Sequence, residues 1–80
     1  MNYSAKSVRK ALQQCGLKPQ GGHKRRNHQY WIDENGRKVE LAVRGTDVPS
    51  PFLKITADQM EFMGICSRKE FKRLARSVSH

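Results

Sequence analysis

Apolar residues recur at helical spacing along the first fifteen positions. Ala5, Val8, Leu12 and Cys15 follow one another at intervals of three, four and three, which a 3.6-residue period gathers into one stripe. Ser4 stands ahead of the stripe as an N-cap, Gly16 follows it where helices commonly stop, and Pro19 bars resumption. The pattern predicts a helix over 5–15. The period then changes to two. His28, Tyr30 and Ile32 fall on one side of an extended segment, with Gln29 and Trp31 on the other. Asp33-Glu34-Asn35-Gly36 reads as a hairpin turn, because Asn-Gly readily supplies positive φ. From Arg37 to Val43 the alternation resumes, Val39, Leu41 and Val43 opposing Lys38, Glu40 and Ala42. Lys18 to Lys24 reads as a weaker strand ahead of the hairpin, its glycines marking a bend or bulge.

The second half is expected to be a loop followed by helices. Gly45 and Pro49-Ser50-Pro51 argue against regular structure over 44–54. Thr56-x-x-Gln59 has the form of a capping box opening a short helix over 57–63 that stops at Gly64, and Ser67-x-x-Glu70 opens another through about Ser77. Phe62 and Met63, then Phe71, Leu74 and Val78, supply their apolar faces. The resulting order, α-β-β-β-α-α, predicts a single α+β domain over 1–80, a three-stranded antiparallel sheet with helices on one face. The other face is then open and displays Gln29, Trp31, Lys38 and Glu40, or their opposites. Alternation alone does not choose between the two.

Length and charge narrow the function. A chain of 80 residues buries only about 60–65% of its unfolded surface, so any chemistry must use few residues. No apolar run approaches the roughly 18 residues of a membrane span, and the N-terminus lacks the apolar stretch and cleavage site of a signal peptide; a cytoplasmic protein is expected. Cys15 and Cys66 form no Cys-x-x-Cys pair and read as small buried apolar groups. A zinc set of Cys15, His23, His28 and Cys66 matches none of the common ligand spacings, so neither metal nor cofactor is expected. The net charge is +9, from 16 Lys and Arg against 7 Asp and Glu. All of the cations but Lys54 fall in three groups: residues 6–10, residues 18–44, and Arg68, Lys69, Lys72, Arg73 and Arg76. Such a field draws polyanions. Nucleic acid is the favoured partner and an acidic protein the second.

The stretch Gly21–Trp31 concentrates this chemistry. Lys24-Arg25-Arg26, with Asn27 beside it, is either a phosphate-binding run or a solvated loop. Arg37 and Lys38 extend the cationic surface, and Arg25, Arg26 or Arg37 has the paired donors to meet developing phosphoryl charge. Trp31 and Tyr30 either stack on unpaired bases or fill a core short of large rings. His28 is either a half-buried strand residue or a group that moves protons near neutral pH. His23 is a second candidate for proton transfer, and His80 is terminal.

At this point the chain resembles the HicA (YcfA-like) family of toxin–antitoxin mRNA interferases. The family opens with a short amphipathic helix closed by a glycine, matched by the stretch from Ser7 to Leu17. Its Gly-Ser-His-x-x-aromatic signature has a counterpart in Arg26-Asn27-His28-Gln29-Tyr30-Trp31, and its hairpin in Glu34-Asn35-Gly36-Arg37-Lys38-Val39-Glu40-Leu41. Its closing pattern is echoed by Met63-Gly64-Ile65-Cys66-Ser67-Arg68-Lys69-Glu70-Phe71. The resemblance implies a double-stranded-RNA-binding-domain-like (dsRBD-like) fold. It also implies metal-independent cleavage of mRNA with His28 as the single essential acid–base residue, and a cognate HicB-like antitoxin that masks it. The family's Gly-Ser is replaced here by Arg26-Asn27, and the Pro-His or His-Gly pair after its third strand by Ala42-Val43-Arg44-Gly45. A non-catalytic RNA-binding module and a protein-binding inhibitor of the same fold are the competing functions.

Overall fold

Ser4 ends one element and starts the next. In the computed structural model, which describes residues 2–20 and 28–77, its side-chain oxygen accepts the Ser7 amide at 3.5 Å, capping helix α1, Ala5–Gln14. The helix ends one residue earlier than its apolar stripe predicts, with Cys15 as C-cap. Gly16 takes a φ of +90°, and the Leu17 amide reaches back to the Leu12 carbonyl at 3.1 Å, turning Leu17 into the core.

Three strands form the main sheet in the order β2–β3–β4: β2, Lys18–Pro19; β3, His28–Ile32; β4, Lys38–Ala42. All pairings are antiparallel, with Trp31 opposite Val39, Tyr30 opposite Glu40 and His28 opposite Ala42. Trp31, Val39 and Leu41 are buried, and the helices close over the face that carries them. The two-residue β2 is all that the described residues show of the strand expected over 18–24; residues 21–24 lie outside them.

Four expectations of the fold are overturned. The first concerns the open face, where Lys38 and Glu40 stand with His28 and Tyr30, not with Gln29 and Trp31. The cause is the turn. The Gly36 amide bonds the Asp33 carbonyl at 3.0 Å and the Asp33 amide bonds the Arg37 carbonyl at 3.0 Å, while Gly36 alone in the turn has positive φ, +84°. This is a three-residue loop with a glycine bulge, where Asn-Gly on its own suggests a two-residue turn. One residue of register moves every side chain of a strand to the other face.

The second concerns residues 44–54. Asp47–Pro49 is a strand, β5, which pairs with β1, Asn2–Ser4, in a separate two-stranded sheet. Helix α2 then begins at once and runs Ser50–Phe62. Proline bars a helix interior but suits its first turn, where the amide has no partner to lose; Pro51 sits there.

The third concerns Thr56 and Gln59, which lie inside α2 and cap no helix. Thr56 is fully buried, donating its hydroxyl to the Glu40 carbonyl at 2.9 Å, while the Gln59 side-chain oxygen accepts the Glu40 amide at 3.0 Å. Together they satisfy the outer edge of β4 as a further strand would. The fourth concerns Phe62, which is assigned by its apolar character to a packed face and is instead 91% exposed. The second capping box is present, the Glu70 amide donating to the Ser67 hydroxyl at 3.1 Å ahead of α3, Arg68–Ser77. Phe71 and Ala75 bury its inner face against α1 and α2.

Candidate active site on the open sheet face

His28 begins β3, directly after the basic run, and its even position turns it away from the core. Its side chain is 43% exposed. Two residues diagonally across the ladder, Glu40 shares that face, and its Oε2 lies 2.6 Å from His28 Nδ1. An ionised carboxylate only accepts, so Nδ1 carries the hydrogen, and in the neutral ring Nε2 is left as the acceptor. Glu40 is in turn immobilised through its backbone by Thr56 and Gln59. A carboxylate–imidazole pair of this kind holds one tautomer and one ring orientation, the arrangement from which a histidine removes a proton from a hydroxyl.

On the same face, Lys38 sets its ammonium 5.1 Å from the centroid of the Tyr30 ring, a cation–π contact. Behind the strand, Arg9 of α1 donates to the Gln29 side chain at 3.4 Å, and both border a cavity of about 340 Å³ that reaches His28. A smaller hollow of about 150 Å³ lies beside the pair, lined by His28, Glu40, Ala42, Phe52, Ile55 and Thr56.

The remaining expected site residues divide. Lys24, Arg25, Arg26 and Asn27, with His23 and His80, lie outside the described residues. Trp31 is only 2% exposed and offers no face for a base; the core role is the one it fills. Among the described residues its indole nitrogen has no hydrogen-bond partner. Arg37 is removed from His28 by the length of the hairpin, about 17 Å at 3.3–3.4 Å per residue. Its Nε donates to Asp33 Oδ2 at 2.7 Å and its Nη1 to the Met63 carbonyl at 2.7 Å, tying the turn to the C-terminus of α2. A guanidinium so engaged does not serve a phosphate at His28. Burial alone would raise the Asp33 carboxyl, but donation from the Arg37 amide and guanidinium and from the Asn35 amide outweighs it and holds the carboxyl below its ordinary value.

On α3, Arg68 pairs with Asp58 and Glu61, and Arg73 with Glu70, so part of the expected basic stripe is neutralised within the fold. Cys15 and Cys66, far apart in sequence, meet where the end of α1 approaches the start of α3. Both thiols are free. Burial, then the neighbouring Cys66 and Glu70, pushes the Cys15 thiol up to about 12. Among the described residues no three His, Cys, Asp or Glu side chains gather as metal ligands would, and no helix is long and apolar enough to cross a membrane.

Sequence reasoning missed Glu40 as a site residue, and Phe52 and Ile55 with it. Glu40 had a signal: counting back from a bulged Asp33–Arg37 turn places it on His28's face. Phe52 had none, since it falls in the segment that its two prolines mark as loop. Compared with known proteins, the chain matches no family profile, no curated protein and no solved structure.

Proposed function

We propose that this protein is a small endoribonuclease in which His28, held by Glu40, moves the proton of an RNA 2′-hydroxyl. One observation carries the reading: the 2.6 Å contact between a half-exposed histidine and a carboxylate on an uncovered sheet face. RNA brings its own nucleophile. Nε2 takes the proton of the 2′-hydroxyl, the 2′-oxygen bonds to the adjacent phosphorus, and the bond from phosphorus to the 5′-oxygen breaks. That oxygen leaves with a proton from water, the hydroxide so formed takes the proton from Nε2, and the products end in a 2′,3′-cyclic phosphate and a 5′-hydroxyl. Proton transfer of this sort contributes about 10²–10⁴-fold. Lys24, Arg25 and Arg26 end two residues before His28, at most about 7 Å of chain, and meet the charge that builds on phosphorus.

The resemblance to the HicA family extends the reading to a cytoplasmic mRNA interferase of a toxin–antitoxin pair, restrained by a HicB-like antitoxin that covers His28. Lys69 and Lys72 of α3 suit an acidic partner of this kind.

The test is incubation of the purified protein with single-stranded mRNA in EDTA. Cleavage with cyclic-phosphate ends is expected, and His28→Ala should slow it by about 10²–10⁴-fold with an unchanged circular dichroism spectrum. Intact RNA in a bound complex overturns the nuclease and leaves the binding module. In that case Lys24→Glu, Arg25→Glu and Arg26→Glu together abolish binding while His28→Ala does not.

A further inference from the structure

The surface beside the His28–Glu40 pair is apolar. Phe52 and Ile55 rise from the first turns of α2 and, with Ala42, wall the hollow of about 150 Å³ that the pair closes on its polar side. The Thr56 hydroxyl points to the Glu40 carbonyl and offers the hollow little polarity. Helix α2 already packs the core through Leu53, Ala57 and Met60, so the fold has no need of a second apolar side. It has one nonetheless. Ile55 is 55% exposed and Phe62, two turns further on, 91%; seven residues of helix return to nearly the same side.

We propose that this hollow is a base subsite for a pyrimidine: one unpaired cytosine or uracil of single-stranded RNA seats its ring against Phe52 and Ile55, presenting its own ribose 2′-hydroxyl to His28. The inference rests on the nuclease reading above and adds the class of base to it. Size favours a single ring. An apolar cavity of about 150 Å³ takes a single six-membered ring such as benzene, whereas sites for larger ligands begin at about 300 Å³. A pyrimidine is one ring; a purine is two, fused. Charge decides which part of the nucleotide enters. The net charge of +9 draws the polyanion, yet among the described residues the hollow is lined by no lysine or arginine and by one carboxylate. It therefore repels phosphate and accepts the uncharged base, whose face stacks on an aromatic ring. Phosphate is left to the basic run ahead of His28.

Binding and cutting are measured separately. Three 2′-O-methyl oligoadenylates, which cannot be cleaved, carry a central cytidine, a central uridine or neither, and their binding is followed by fluorescence anisotropy. Either pyrimidine should tighten binding at least fivefold and shift the Ala42 and Ile55 methyl resonances. Ile55→Ser, at an exposed position, should erase the difference with the melting temperature retained, and Phe52→Leu should reduce it. Equal binding of all three oligonucleotides, or a preference that survives Ile55→Ser, overturns the subsite. With the matching unmodified RNAs, wild type should cut on the 3′ side of the pyrimidine. Discrimination without cutting keeps the subsite and removes the nuclease; cutting without regard to base keeps the nuclease and removes the subsite.

Discussion

The Thr56 hydroxyl donates to the Glu40 carbonyl at 2.9 Å, so the residue whose carboxylate holds His28 is itself held by a helix. The strand edge, the helix and the candidate site are one construction. Moving α2 away from β4 exposes an unpaired backbone and loosens the imidazole together.

Thr56→Val keeps the shape of that side chain and removes its donor, leaving the Glu40 carbonyl unsatisfied at a buried position. The loss is expected to be about 1–3 kcal/mol, and urea denaturation at neutral pH measures it. Thr56→Ser retains the hydroxyl and should lose less.

Glu40→Gln preserves an acceptor for Nδ1 and removes the charge. A charge-assisted hydrogen bond contributes roughly 1.5–3 kcal/mol, which corresponds to about a ten- to hundredfold fall in kcat/KM on an RNA substrate. His28→Ala should fall further. Equal rates for Glu40→Gln and wild type would show that the carboxylate plays no part in orienting the ring.

Trp31 reports on the same question by light. A 2% exposed indole should emit at short wavelength and remain unquenched when oligonucleotide is added, whereas a ring stacked on a base is quenched. Trp31→Ala should destabilise the domain by about 3–5 kcal/mol through the cavity it leaves.

The hairpin turn gives an acid signature. Asp33 is held below its ordinary value of 3.8, so its folded form favours the carboxylate. The stability this supplies is present above that value and is lost as pH falls through the lower, folded one. Asp33→Asn should therefore melt below wild type at pH 7, and the gap should close as melting is repeated toward pH 2.

Cys15 gives the alkaline counterpart. A thiol pushed from 9.0 to about 12 favours its neutral form in the fold. The stability it supplies is complete below pH 9.0 and is lost as pH rises toward 12. At pH 8 Cys15 should react with iodoacetamide at least about tenfold more slowly than an unfolded-chain cysteine, because the thiolate is the nucleophile. Mass spectrometry after timed alkylation measures the ratio.

Short-range signals were legible where the physics is short-range. The stripe from Ala5 to Cys15, the Ser4 cap and the Gly16 stop define α1 within one turn of chain, and Ser67 with Glu70 does the same for α3. The alternation of β3 and β4 and the position of His28 between a basic run and an aromatic pair were equally plain. Long-range pairing was not. Three residues at Asn2–Ser4 carry no pattern of their own and become a strand only because β5 lies beside them. Thr56 and Gln59 have the spacing of a capping box, but inside a packed helix the same two side chains bond to a strand edge contributed from sixteen and nineteen residues away.

The sequence by itself determined the helices whose caps and stripes are complete, the hairpin, and the charge that draws a polyanion, because each depends on neighbours within a few residues. Only the tertiary structure decided which face of the sheet is open, that Glu40 shares that face with His28, and that an apolar wall stands beside them. A bulge of one residue at Gly36 sets the register, and whether a helix lies against that edge depends on packing over the whole chain.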